Sequence, residues 1–250
     1  MTGPNILLID IETTPALVWT WGLYDQNISI QQIEQHPRIF CFAAKWYGAK
    51  STQFYSEHHN GRHEMLAAAW AMLDAADIVV GWNSRSFDGK WLEGEFIAEG
   101  MGRPSPYVHI DLMLEVKRNG RFISNKLDYI AGRLLDEHKV SHEGFELWIK
   151  CMAGDEGAWR TMRRYNKKDV TLLEPIYKAL LPWIKSPVNA ALYVDDDERR
   201  CPQPTCASTN LERRGYAYTN AGKYPRFVCR DCGKWSRGAR SEGTTELRGM

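Results

Sequence analysis

Two carboxylates, Asp10 and Glu12, close the apolar run Ile6-Leu7-Leu8-Ile9. Strand side chains alternate with period two, so both acids point to one side. Like charges on one face repel, and burial next to an apolar run disfavours their ionised forms. A divalent cation offsets both effects, although the pair alone also fits strand-end acids in solvent. A third acid, Asp88, ends the stretch Asn83-Ser84-Arg85-Ser86-Phe87-Asp88, where the chain leaves an apolar segment and enters a helix. It suits the positive end of the helix dipole. It equally suits the carboxyl edge of a sheet beside Asp10, where sites in open α/β sheets form. A fourth, Asp169, follows Tyr165 by four residues and shares its helical face, which Leu172, Leu173 and Ile176 continue. A carboxylate on an inward apolar stripe is costly unless paired or metal-bound. Arg160, Arg163, Arg164, Lys167 and Lys168 lie on the other side and read as a solvated face.

A second chemistry sits near the C-terminus. Cys201-Pro202-x-x-x-Cys206 and Cys229-x-x-Cys232-Gly233 are two close cysteine pairs. Thiolates at such spacing wrap one tetrahedral Zn²⁺, here a structural ion for a module too small to build its own core. Around them Arg213, Arg214, Arg226, Arg230 and Lys234 alternate with Tyr216, Tyr218, Tyr224, Phe227 and Trp235. Basic groups grip phosphates and aromatics stack on bases, a mixture suited to single-stranded nucleic acid. A protein partner such as a polymerase could use the same surface. Cys41, in an apolar segment, reads as a core thiol.

The elements that must hold these groups follow from periodicity. Ile6–Ile9, Ile39–Tyr47, Ser51–Tyr55, Asp77–Trp82 and Val108–Leu112 read as strands. Helices are expected at Arg62–Asp74, about Phe87–Gly100, Lys126–Leu135, Phe145–Met152 and Ala158–Leu181, the last ended by Pro182 and Pro187. The order predicts an α/β fold: a mixed five-stranded sheet flanked by helices. Composition places the main domain at 1–190, an acidic linker containing Asp195-Asp196-Asp197-Glu198 at 191–198, the cysteine module at 199–237 and a disordered Gly/Ser/Thr-rich tail at 238–250.

The bulk numbers describe an ordinary globular chain, with 250 residues, 44% hydrophobic and 25% charged. The net charge of +1 is unevenly spread. From Arg199 onward there are 11 Lys+Arg and 4 Asp+Glu, against 21 and 27 before it. An acidic body with a basic tail fits a carboxylate site joined to a polyanion-binding module. The N-terminus lacks a secretory pattern, and no apolar run approaches the roughly 18 residues of a membrane helix. A reducing cytoplasm is expected, and the compact layout suits a bacterial or bacteriophage protein.

Taken together, Asp10-x-Glu12, Asn83-x-x-x-Phe87-Asp88 and Tyr165-x-x-x-Asp169 resemble the three motifs of the DEDD (DnaQ-like) 3′–5′ exonucleases. Tyr165 resembles the DEDDy branch, which includes proofreading domains of family A and B DNA polymerases and YprB-like proteins. The DEDDh branch has His where this chain has Arg164, and family B domains usually have Asn where this chain has Ser86. The likeness covers most of residues 5–181, and the cysteine pattern looks like a zinc ribbon. It implies a ribonuclease H-like fold and a two-metal mechanism with Mg²⁺ or Mn²⁺. In such mechanisms two ions about 3.5–4 Å apart clamp the scissile phosphate. By analogy Asp10 bridges both ions, Glu12 and Asp169 complete the water-activating site, and Asp88 holds the second. Tyr165 orients the water, Asn83 and Phe87 shape the site, and Thr13 and Leu17 cover the 3′ end. Asp111, in His109-Ile110-Asp111-Leu112, is expected to support the site or the fold rather than bind metal.

Three functions fit. The first is a metal-dependent 3′–5′ exonuclease on single-stranded DNA or frayed ends, acting alone or with a polymerase or another replication or repair protein. The second keeps the site but acts on RNA, and the third is a non-catalytic nucleic-acid-binding adaptor. Repelling acids held together favour an enzyme, and the tyrosine branch favours DNA over RNA by analogy.

Overall fold

The structure, a computed structural model, describes residues 3–185 and 188–247. Its main sheet has five strands in the order β5-β4-β1-β6-β7. They are β1 (Ile6–Thr13), β4 (Ile39–Trp46), β5 (Gln53–Ser56), β6 (Ile78–Gly81) and β7 (Val108–Asp111). β1 runs antiparallel to β4, with Asp10 opposite Ala43 and Glu12 opposite Cys41, and β4 runs antiparallel to β5. β6 and β7 continue the sheet in parallel. β1 is buried along Ile6–Ile9 because both faces of the sheet are covered.

The two faces divide the labour. Leu7, Ile9 and Ile11 join Phe42 and Ala44 against α2 (Arg62–Asp74) and α3 (Asp88–Ala98), through Met65, Leu66, Leu73, Leu92 and Phe96. Each such side chain contributes about 1.5–3 kcal/mol by leaving water. Asp10 and Glu12, on the alternate positions, therefore point away from this core. The opposite face meets α7 (Glu156–Leu180), whose Asn166 reaches Asp10. Pro175 lies inside α7 and supplies no N–H for that turn, yet the helix continues to Leu180.

Shorter elements complete the order. β2 (Leu17–Val18) and β3 (Ile33–Gln35) pair as a small ribbon. Trp19, Trp21, Leu23 and Tyr24 between them are exposed. α1 (Glu57–Asn60) precedes α2, and α4 (Leu112–Asn119), α5 (Leu127–Leu135) and α6 (Phe145–Met152) lie between β7 and α7. Among the described residues no helix is long and apolar enough to cross a membrane.

The chain divides into two compact units, parting at Ile176/Tyr177 within α7. The second unit contains β8 (Leu211–Tyr218), β9 (Gly222–Cys229), β10 (Trp235–Arg237) and β11 (Gly243–Thr244), with β8, β10 and β11 all pairing on β9. The tail expected to be disordered from 238 thus holds a strand, because Gly243 and Thr244 find free ladder positions opposite Lys223 and Gly222. Pro187, expected as a helix stop, and residues 248–250 of that tail lie outside the described residues.

Candidate active site and cysteine cluster

β1 delivers its acids where the parallel ladder to β6 has ended. That pairing runs from Ile6 to Leu8 only. Asp88 takes over beyond it, its Oδ1 accepting the Ile11 backbone N–H at 2.9 Å. Asp88 is 3% exposed and stands in the first turn of α3, so strand edge and helix N-terminus meet on one carboxylate. The turn that brings it there is tightly made. Asn83 adopts φ 59°, a left-handed conformation that Asn tolerates better than most residues. A Cβ on Gly81 would lie 2.5 Å from Ser84 Oγ and 3.2 Å from the Ile9 carbonyl, so only glycine fits the end of β6. Asp111 braces the same turn, accepting backbone N–H groups from Asn83, Arg85, Met113 and Leu114 at 3.0–3.3 Å. Those four donors make it a structural residue.

Oxygens of Asp10, Glu12 and Asp169 lie within 4.8 Å of one another. Asn166 Nδ2 donates to Asp10 Oδ2 at 2.7 Å and fixes that carboxylate. Lys139 Nζ sits 2.5 Å from Asp169 Oδ2 and donates to the Tyr165 hydroxyl at 3.0 Å. Tyr165 is 9% exposed, with His142 edge-on to its ring at 4.7 Å. Asp10, Asn83, Lys126, Asp128, Lys139 and Asp169 line a cavity of about 390 Å³.

The electrostatics are those of crowded acids. Burial, then the charges of Asp88, Glu12 and Asp169, raise Asp10 well above the usual carboxylate range. Burial, then Asp169, push Glu12 up to about 8, with Lys139 opposing. Burial pushes Asp88 up to about 7 against the hydrogen bond from Ile11. Burial also raises Asp169, partly offset by Lys139. Among the described residues Asp169 Oδ1 is buried and lacks a hydrogen-bond partner. An orphaned carboxylate oxygen beside two further acids fits a hard cation with oxygen ligands, and the ammonium of Lys139 now occupies part of that role.

The structure thus brings Asp10, Glu12, Asp169 and Tyr165 together and sets Asp88 beside them on the Ile11 amide. Asn83 lines the same cavity. Phe87 is half-exposed and packs edge-on to Trp91, with ring centroids 6.4 Å apart. Thr13 ends β1, and Leu17, exposed, pairs with Gln35. Lys139, Asn166 and His142 were not foreseen. Asn166 follows Tyr165 directly and carried a signal in its inward position, whereas Lys139 and His142 lie in an irregular loop.

In the second unit, sulfurs of Cys201, Cys206, Cys229 and Cys232 lie within 4.8 Å of one another. Cys201 to Cys232 and Cys206 to Cys229 are both 3.6 Å. A tetrahedron with bonds of about 2.3 Å has edges of about 3.8 Å, so the four thiols are spaced for one Zn²⁺-sized ion. Burial pushes Cys206 up to about 12, a cost that a bound cation would remove. Gly233, at φ 71°, turns the chain after Cys232 so that its N–H reaches the Cys229 carbonyl at 2.9 Å. Part of the basic and aromatic set is used internally. Phe227 is buried, Lys234 bonds the Ile184 carbonyl, and Arg214 and Arg230 pair with Glu212. Arg226 stacks over Trp235 at 4.8 Å and Arg237 over Tyr224 at 4.5 Å.

Comparison with known proteins agrees with this fold. Residues 31–181 match the family model described as the RNase_H superfamily. No curated protein matches the chain. Among solved structures, the chain is similar to the family B DNA polymerase from the hyperthermophilic archaeon Pyrobaculum calidifontis. The TM-score is 0.54 at 17% identity, covering 72% of this chain. The likeness shows a shared fold, and this chain spans 25% of the polymerase's length.

Proposed function

The chain belongs to the RNase H superfamily, and on that footing we propose that it is a metal-dependent 3′–5′ exonuclease of the DEDDy type, acting on single-stranded DNA or frayed 3′ ends. The observation that carries this is the gathering of Asp10, Glu12 and Asp169 oxygens within 4.8 Å at a buried sheet edge. A binding scaffold has no use for acids that repel one another, whereas phosphodiester hydrolysis does. Asp10, Glu12, Asp88 and Asp169 would hold two Mg²⁺ or Mn²⁺ ions. Bound there, such ions lower the pKa of a water and neutralise charge on the transferred phosphate.

The chain's own residues do the rest. Asn166 holds Asp10 in one rotamer by its 2.7 Å hydrogen bond. Asp88, tied to the Ile11 amide, keeps the α3 N-terminus against β1. Tyr165 presents its hydroxyl next to Asp169, placed to orient a water. Lys139 pairs with Asp169 and the Tyr165 hydroxyl, and its ammonium would be free for a phosphate once a cation held Asp169. In this reading Asn83 and Phe87 shape the site for the terminal nucleotide, and Thr13 and Leu17 cover the 3′ end. The cysteine module is a zinc ribbon in this reading, and its Arg226–Trp235 and Arg237–Tyr224 pairs add affinity for single strands. DNA is preferred over RNA in this reading because Tyr165-x-x-x-Asp169 resembles the motif of polymerase proofreading domains and the solved structure of similar fold is a DNA polymerase.

The test is digestion of 5′-labelled and 3′-labelled single strands, DNA and RNA in parallel, with and without Mg²⁺. A metal-dependent ladder on 5′-labelled DNA with early release of the 3′ label is expected. A ladder on RNA alone would move the substrate to RNA. Binding without any cleavage would overturn the enzymatic reading.

A further inference from the structure

A third cluster of metal-ligating side chains lies on the exterior of the first unit. His58 and His59, in the short helix α1, and Glu156, the first residue of α7, bring donor atoms within 4.8 Å of one another. His58 Nε2 is 2.8 Å from Glu156 Oε1, and His59 Nε2 is 3.5 Å from Glu156 Oε2. Each imidazole thus meets its own carboxylate oxygen, and both do so through the same ring nitrogen. An ordinary ion pair needs one histidine.

Both rings are held in place from behind. His58 stacks on Trp159 with planes 10° apart and centroids at 5.3 Å. His59 meets the same indole edge-on at 5.7 Å, and its Nδ1 lies 2.8 Å from Oγ of the fully buried Ser56. When Nδ1–H donates to that hydroxyl, Nε2 keeps its lone pair facing Glu156. Metal-bound histidines are oriented in this way, the second ring nitrogen hydrogen-bonded to a fixed acceptor.

We propose that His58, His59 and Glu156 form a binding site for an exchangeable transition-metal ion of the Zn²⁺ class. Two imidazole nitrogens and one carboxylate favour Zn²⁺, Ni²⁺ or Co²⁺ over Mg²⁺, the reverse of the all-oxygen cluster around Asp10. Three protein ligands leave a position for water, so the ion exchanges more readily than one in a closed four-cysteine cage. On binding, the ion replaces any proton carried by the two Nε2 atoms, and that proton passes to solvent. The site joins residues 98 apart in sequence and pins α1 to the first turn of α7. Further along, α7 carries Tyr165 and Asp169, so an ion here would brace the helix that presents them.

The probe is Ni²⁺, applied to the full chain with its cysteine cluster already filled by Zn²⁺ and with Mg²⁺ in excess to occupy the carboxylates. Bound nickel is counted after equilibrium dialysis, and thermal melting is followed with and without it. The expected result is one Ni²⁺ more per chain in the wild type than in Glu156→Ala or His59→Ala, with melting raised by Ni²⁺ in the wild type alone. The Glu156 side chain is 61% exposed, so its removal spares the fold. Equal nickel content in wild type and both variants, or melting shifts that survive both substitutions, would overturn the site.

Discussion

The carboxylate cluster and the cysteine cluster both gather like-charged or acidic groups, yet they are built in opposite ways. Four thiols stand close together at tetrahedral spacing, with Cys229 at the end of β9 in a small β-sheet. Three carboxylates converge on a sheet edge whose reverse face is a full hydrophobic core. In the first region the metal would make the fold. In the second the fold already exists and holds groups whose ionised forms it disfavours. Stability and chemistry are therefore merged in one cluster and opposed in the other.

Replacing one ligand in each cluster should give opposite results. Cys229→Ser should lose the zinc and with it most of the order of β8–β11, since structural zinc contributes about 10–16 kcal/mol of apparent binding energy. Hydrogen exchange across residues 211–237 reads this, and retained protection would break the contrast. Asp10→Asn should lower cleavage by about 10³-fold or more, beyond the 10–100-fold typical of groups that only orient a ligand. Its melting temperature in Mg²⁺-free buffer should hold or rise, because one repelling charge is gone. A fall of several degrees would mean that Asp10 stabilises the fold.

A pH titration sharpens the same point. Glu12 and Asp88 have folded-state values near 8 and 7, above their unfolded values. The folded chain then binds more protons than the unfolded one between roughly pH 4 and 8. Stability should be greatest at the acid end of that window and fall as pH rises through it, by several degrees at about 2–4 °C per kcal/mol. Added Mg²⁺ should flatten the slope. A flat profile without Mg²⁺ would remove the electrostatic account of the site. The smallest effect is expected at Lys139. Lys139→Met should bind Mg²⁺ more tightly by calorimetry, by up to about tenfold or roughly 1.4 kcal/mol, because no ammonium must first leave Asp169. Unchanged affinity would mean that the lysine does not compete with the ion.

What sequence could show here was what periodicity and local motif encode. The run Ile6–Ile9 announced a doubly covered strand, and the two-residue step from Asp10 to Glu12 placed both acids on one face. The four-residue step from Tyr165 to Asp169 did the same on α7. Lys139 and His142 escaped because an irregular loop has no period from which to infer a facing. Asp111 was legible as a supporting acid at a strand end, but the four amides it accepts from are set by the turn and not by spacing. The strand at Gly243–Thr244 escaped because its composition is that of a flexible tail, and its order comes from an unfilled edge of β9. The pairing of His58 and His59 with Glu156 spans too many residues for spacing to reveal.

The most direct test of the central claim is a crystal of the full chain in Mn²⁺ with a short single strand, examined by anomalous scattering. Two peaks bounded by Asp10, Glu12, Asp88 and Asp169, with Asp10 touching both, are predicted. At saturating Mn²⁺, no peak at those carboxylates would contradict the account.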